Sequence, residues 1–225
     1  MEFDEAFWDE RYRQHGEHQA LWSGQPNAQL VTEAEDLAPG SALDVGAGEG
    51  ADAVWLARHG WRVTAVDISS VALARAAAAV DDDPETAARI NWLHLDLIAA
   101  QPPAGPFDLV SAQYLHLPAP QRDGVYRGIA ASVAPGGTLL IVGHHPSDLE
   151  TSVRRPSDPG LLFTAEQIAA ELAPNDWEIV ACTSRPRITN DADSAPVTVQ
   201  DSVLRARRRT PGTGPLRTAH PEHNS

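Results

Sequence analysis

The sequence predicts an α/β fold: a doubly wound, mainly parallel sheet with helices on both faces. Three observations carry that prediction. Short apolar runs alternate with helical stretches along most of the 225-residue chain, which is the pattern of linked βαβ units. A glycine-rich turn, Gly46-Ala47-Gly48-Glu49-Gly50, follows the first apolar run. Acidic residues, Asp67 and Asp96, stand at the ends of the second and third.

The elements follow in order. Glu5 to Gln14 has helical spacing of aromatic and charged residues, with Phe7, Trp8, Arg11 and Tyr12 close together. Gly, Pro and Asn punctuate the loop Trp22 to Asn27, and Asn27 is placed to cap a helix from Ala28 to Leu37. Residues 1–40 thus read as an N-terminal helical lid, and 41–206 as the main domain. Within that domain Ala42 to Val45 is the first strand, and Asp52 to His59 is a helix closed by Gly60. Trp61 to Val66 is the second strand. Ser69 or Ser70 caps an alanine-rich helix to Val80, and Asp81-Asp82-Asp83-Pro84 ends it in a polar connection. Ile90 to Leu95 and Phe107 to Ala112 are strands three and four. A helix from Arg122 to Val133 leads through the turn Ala134-Pro135-Gly136-Gly137 into strand Thr138 to Val142. Thr164 caps a helix to Leu172, and Trp177 to Thr183 and Val197 to Ala206 are closing strands. Residues 207–225, rich in Pro, Gly, Thr and Arg, read as a disordered tail.

Composition narrows the function classes. Formal net charge is −14, which opposes general attraction to nucleic acid or anionic lipid. The short basic patch Arg205, Arg207, Arg208 and Arg209 does not reverse that balance. Cys182 is the only cysteine, so no internal disulfide is possible. The acidic N-terminus lacks the order of a signal peptide, and the longest strongly apolar stretch, Thr138 to Val142, is too short to cross a bilayer. The expectation is a cytoplasmic protein with a small-molecule partner, and neither nucleic acid nor membrane.

The chemistry gathers at the ends of the first three strands, where a doubly wound sheet binds ligands. Gly46, Gly48 and Gly50 let backbone approach a ligand where a Cβ would collide. Asp67 lies 21 residues beyond Gly46, placed to accept both ribose hydroxyls of a nucleotide. Asp44, two residues before Gly46, would repel a pyrophosphate and suits a cationic amino-acid group instead. That charge argues against a nicotinamide dinucleotide and for a sulfonium cofactor.

Leu43-Asp44-Val45-Gly46-Ala47-Gly48-Glu49-Gly50, Val66-Asp67-Ile68-Ser69, His94-Leu95-Asp96-Leu97, Phe107-Asp108-Leu109-Val110 and Ala134-Pro135-Gly136-Gly137-Thr138-Leu139 resemble successive motifs of the class I S-adenosylmethionine-dependent methyltransferases. The resemblance spans Trp8 to Ala206. It implies a Rossmann-like, seven-stranded sheet with one antiparallel strand near its edge, and S-adenosyl-L-methionine as cofactor. It also implies that Asp44 and the loop Gly46, Ala47, Gly48 and Gly50 hold the methionine part, that Asp67 binds the ribose, and that Asp96 meets the adenine amino group. Ile68 and Leu97 would pack on the adenine, and Gln113 would face the methionine end. Over the first thirty residues the chain is similar to the tellurite-resistance and thiopurine methyltransferases, through Trp8-Asp9-Glu10-Arg11-Tyr12 and the loop after it. Trp22 either lies against cofactor or substrate or anchors the N-terminal helix.

The expected reaction is methyl transfer to a small-molecule nucleophile, with oxygen, nitrogen, sulfur and heavier chalcogens all open. A thiolate-like nucleophile needs no base, whereas a hydroxyl benefits from one. His116, His144 and His145 follow strands four and five and are the candidates for base or substrate contact; each has a plainer reading as a loop cap. Tyr114 is a further pocket residue, and Arg154 and Arg155 are possible contacts for an acidic substrate. His116, His144, His145 and Asp148 make a poor magnesium set, since that ion prefers oxygen, and no metal is expected. Two rival classes share the cofactor motifs or the sheet: a catalytically silent S-adenosylmethionine-binding regulator, and an NAD-dependent oxidoreductase.

Overall fold

In the computed structural model, residues 3–15, 21–153, 155 and 159–211 are described. Seven strands form one sheet: β1 (Ser41–Val45), β2 (Arg62–Asp67), β3 (Ile90–His94), β4 (Phe107–Gln113), β5 (Val133–His144), β6 (Trp177–Asn190) and β7 (Pro196–Arg208). Their spatial order is β3-β2-β1-β4-β5-β7-β6. Pairings from β3 through β5 are parallel, and β7 runs antiparallel to both neighbours. The chain winds outward from β1 in both directions, so a crevice opens between β1 and β4 at their carboxyl ends. Register levels those ends, because Val45 sits opposite both Val66 and Ala112.

The central strands are apolar on both faces because each face buries a core. Alternation divides their side chains. Leu43, Val45, Val110, Leu139 and Ile141 enter one core with Ile129 of α6 (Ala119–Ala131) and Ile168 of α7 (Ala165–Ala169). Ala42, Leu109, Leu140 and Val142 enter the other with Leu30 of α2 (Ala28–Ala34) and Leu56 of α3 (Ala51–Arg58). Helices α1 (Glu5–Gln14) and α4 (Ser70–Ala78) pack together. Asp9 of α1, itself buried, accepts hydrogen bonds from the Ser69 hydroxyl at 2.7 Å and Val71 N–H at 3.3 Å. Burial opposes the Asp9 charge, but these bonds and the nearby Arg13 outweigh it and hold its pKa below the ordinary value.

Several boundaries differ from the sequence reading. Helix α6 begins three residues earlier than Arg122, since Pro118 and Pro120 fall in the cap and first turn, where a missing N–H costs nothing. The polar connection after α4 contains a one-turn helix, α5 (Pro84–Ala87), whose first turn is capped by the Asp83 carboxylate. Strand β5 starts before the Pro135-Gly136-Gly137 segment, and its register to β4 shifts there, with Gly136 left-handed at φ +83°. Asn27 occupies the N-cap position of α2 without capping it, because its side chain is engaged elsewhere. The largest difference is the closing hairpin. Strands β6 and β7 run 14 and 13 residues, extending past Thr183 and beginning before Val197. Arg207 and Arg208 are strand residues rather than tail, while 212–225, His18 and Arg154 lie outside the described residues.

Candidate active site

A cavity of about 610 Å³ lies at the carboxyl ends of the parallel strands. Its floor at one end is the loop between β1 and α3. Gly46, Gly48 and Gly50 all take left-handed φ, at +73°, +54° and +83°. The need for glycine is sharpest at two of them. A Cβ on Gly46 would come within 2.9 Å of Leu115 Cδ1, and one on Gly50 within 2.6 Å of the Trp92 ring. The loop is pinned from below, where Gly46 and Ala47 N–H both donate to Val66 O. Gly48 N–H donates to Asp67 Oδ2 at 2.8 Å, and Ser69 N–H to Asp67 Oδ1 at 2.8 Å. Asp67 lines the cavity at the end of β2, held by backbone donors that leave lone pairs free. Burial raises its pKa despite those bonds.

Asp44 stands behind this loop rather than on the cavity wall. It is 2% exposed, and its Oδ2 has no hydrogen-bond partner. Burial pushes its pKa well above the carboxylate range, and the neighbouring Asp52 and Asp67 push it further. Asp52, on the first turn of α3, accepts from Asn27 N–H and from the Asn27 side-chain amide, both at 2.7 Å. Its pKa is also raised by burial. Asp52 and Asp67 on the cavity wall, with Asp44 behind them, therefore gather three carboxyl groups at one end, and none of them is in a salt bridge among the described residues. That is a site for a positively charged ligand group.

Ile68, Asp96 and Leu97 line the same end at the tips of β2 and β3, and the Asp96 carboxylate accepts from Ile98 N–H at 2.8 Å. Gln113, at the end of β4, also lines the cavity; its amide N–H donates to Ser111 Oγ, and its Oε1 is buried without a partner. Trp22 lies across the glycine loop. Its indole N–H donates to the Tyr12 hydroxyl at 3.1 Å, and the Arg11 guanidinium sits 5.9 Å from its ring centre. It both lines the cavity and anchors α1, so the two readings of this residue coexist.

The far end is built by Trp8, Tyr114, His116, His144, Arg155 and Arg187. His116 and His144 face one another at 5.7 Å between ring centres, with Trp8 beside the first and Tyr114 beside the second. Burial, then the charges of Arg11 and Arg155, lowers the His116 pKa to about 4. Burial, then Arg155, His116 and Arg187, lowers that of His144 to about 2. Both rings are uncharged at neutral pH. His145 takes no part, because its ring accepts from Ser147 N–H and caps the short 3₁₀ turn Pro146–Glu150. Among the described residues, no group of three or more His, Cys, Asp or Glu is placed to hold a metal ion.

Residues 42–137 match the family described as a methyltransferase domain. That matched segment contains the glycine loop, Asp67 and Asp96, so the likeness falls on the glycine end of the cavity. Over 101 residues it is 42% identical to an uncharacterized methyltransferase of Mycobacterium tuberculosis, a match covering 44% of this chain and 48% of the relative. The chain thus spans about half the length of the curated relatives it matches. Among solved structures it is similar to one described as concerning conversion of a disulfide bond into a thioacetal group during echinomycin biosynthesis. That likeness has a TM-score of 0.72 at 21% identity and covers 93% of both chains. TehB of Haemophilus influenzae gives 0.68 at 19% identity, covering 81% of this chain and 62% of its own. At such identities these two likenesses speak for the methyltransferase fold alone.

Within the matched segment the motifs singled out from the sequence converge as a set. The sequence reading missed Asp52, Asn27, Arg187 and Asp201. Asp52 reads as an ordinary first-turn acid favoured by the helix dipole, and nothing local marks its tie to Asn27. Arg187 and Asp201 reach the cavity only because the closing hairpin is long, which the alternation of Arg185, Arg187 and Thr189 could have indicated.

Proposed function

We propose that the protein transfers the methyl group of S-adenosylmethionine to a small molecule. The observation that carries this reading is one cavity with two chemically opposed ends. A cradle of glycines and uncompensated carboxylates forms one, and a wall of aromatic rings, neutral histidines and arginines forms the other. The residues fit the cofactor. The unpartnered Asp44 Oδ2 and Gln113 Oε1, and a loop that a Cβ would fill, are what a cationic amino acid joined to a nucleoside requires.

In this reading Gly46, Ala47, Gly48 and Gly50 hold the methionine part, with the Asp44 carboxyl acting on it from behind the loop, and Gln113 closes that end. Asp67 accepts the ribose hydroxyls. Asp96 meets the adenine amino group, with Ile68 and Leu97 against the ring. The bound cofactor supplies a methyl carbon already activated by positive sulfur. The protein aligns the acceptor with that carbon and excludes water. Residues 1–40 serve as a cover chiefly through α1 and Trp22, while α2 packs into the core. His116 and His144 are wall groups that hydrogen-bond the acceptor, and His145 is outside this role. The acidic chain, and the lack among the described residues of any helix long and apolar enough to cross a membrane, support action on a small molecule in the cytoplasm.

Calorimetric titration with S-adenosylmethionine, S-adenosylhomocysteine and NAD tests this. Both adenosyl ligands are expected to bind, and NAD is not. Asp67→Ala removes the ribose acceptor and should weaken adenosyl binding by about ten-fold or more, as for loss of a charged hydrogen-bond partner. Preference for NAD, or no adenosyl binding by folded protein, would sink the proposal.

A further inference from the structure

Two arginines among the described residues, Arg155 and Arg187, line the acceptor end of the cavity. The Arg155 side chain is 10% exposed and pairs with Asp148, which is fully buried. Arg155 Nε and Nη2 both donate to the same oxygen, Asp148 Oδ2, at 3.0 and 2.7 Å. The other oxygen, Asp148 Oδ1, is taken by Gln200 N–H at 2.8 Å. Arg155 Nη1 therefore makes no hydrogen bond among the described residues, although the side chain lines the cavity. Arg187 differs, because Nε and Nη2 engage both oxygens of Asp201 at 3.0–3.2 Å. Its guanidinium also lies 5.6 Å from the centre of Tyr114.

We propose that the methyl acceptor is a small organic anion with a flat apolar body, seated between Trp8 and Tyr114 with its charged atom at Arg155 Nη1. This rests on the methyltransferase reading of the same cavity. The cavity is electrically polarised, with spare carboxylates at the glycine end and spare guanidinium donors at the other. It therefore suits a cation and an anion bound side by side. The anion's lone pair forms the new bond to the methyl carbon as the methyl–sulfur bond breaks and its electron pair goes to sulfur. One negative and one positive charge vanish together, and no proton has to move. His116 and His144, whose pKa values burial holds low, are weak proton acceptors, which suits a step that needs no base. The unpartnered His144 Nδ1 is then a second polar contact for the acceptor.

The test is calorimetry on protein saturated with S-adenosylhomocysteine. The probes are benzoate, thiophenolate at alkaline pH, and benzamide as the uncharged isostere of benzoate. Benzoate or thiophenolate should bind at least ten-fold more tightly than benzamide, and the better of the two identifies oxygen or sulfur as the charged atom. Arg155→Met should cost that anion at least ten-fold, with S-adenosylhomocysteine affinity held within two-fold as proof of a folded cofactor site. Arg155→Lys, which keeps a charge beside Asp148, should recover part of the loss. Benzamide binding as well as the anions, no binding of either anion, or anion binding indifferent to Arg155→Met would each overturn the inference while leaving the cofactor reading intact. Failure of S-adenosylhomocysteine itself to bind would remove both.

Discussion

At the scale of single residues, the site is made by side chains and backbone conformations that cost stability. Gly50 is the clearest case for backbone. It is left-handed, and a Cβ there would meet Trp92 at 2.6 Å and Ala76 Cβ at 2.8 Å. Gly50→Ala should therefore destabilise the fold by roughly 2–4 kcal/mol, from conformational strain plus overpacking, read as a lowered urea midpoint. His116 and His144 give a pH signature. Their folded pKa values lie below the ordinary 6.5, so below that pH the unfolded chain binds more protons than the folded one. Stability then falls as pH drops from 6.5, levelling near 4 for His116. At pH 5 that group alone costs about 2 kcal/mol. Asp44, Asp52 and Asp67 act with the opposite sign, since raised carboxylate pKa values favour the folded state at low pH. A difference measurement separates the two effects. His116→Asn should recover about 2 kcal/mol of the stability lost between pH 7 and pH 5. An unchanged acid limb would show that His116 is not held neutral by burial.

At the scale of elements, the cover over the glycine loop depends on how α1 is fixed. Asp9 joins α1 to the start of α4, receiving the Ser69 hydroxyl that also caps that helix by accepting from Ala72 N–H. Trp8 and Tyr12, one turn apart on α1, reach the two ends of the cavity. Asp9→Ala removes the joint and should cost about 1 kcal/mol or somewhat more, in the range of a lost cap. The informative readout is local. Hydrogen exchange should rise across residues 5–14, the central strands should keep their protection, and S-adenosylhomocysteine should dissociate faster. Uniform loss of protection would mean that α1 is part of the global fold rather than a separable cover. Much of this scale was legible in the sequence. The aromatic and charged spacing of Glu5–Gln14 marked α1 to the residue, and of the two cap candidates Ser69 and Ser70 it is Ser69 that caps α4. Asp9 did not stand out, because an exposed helical acid and a buried long-range acceptor look alike until α4 is in place.

At the scale of the whole molecule, the glycine loop and the strand-end acids could be read because each is fixed by its own strand and the next turn. The acceptor wall was legible only in part: Tyr114, His116, His144 and Arg155 follow strand ends and stand out as candidates, whereas Arg187 and Asp201 reach the cavity only through the long closing hairpin. Its supports run through buried charge. Glu33 of α2 accepts from Arg185 and from Arg205, and Gln29 of the same helix donates to Asp201 at 3.4 Å. Through these contacts the β6–β7 hairpin is tied to α2 and, by Arg187, to Tyr114 at the end of β4. The Arg187–Asp201 pair decides whether this tie is energetic or only positional. Asp201 is fully buried, so Arg187→Met strands a carboxylate away from water. Breaking a buried pair from one side costs about 3–5 kcal/mol; Arg187 is about one-third exposed, which brings the expectation to roughly 2–3 kcal/mol. Replacing both partners with apolar groups removes the stranded charge along with the attraction. The double variant Arg187→Met with Asp201→Leu should therefore be more stable than Arg187→Met alone, even though it has lost one interaction more. Urea unfolding of wild type and the three variants measures this. A double variant less stable than either single would mean that the pair itself holds the hairpin to the body of the domain. With stability restored and binding of the anionic probe still weakened, the pair's contribution is the shape of the acceptor wall.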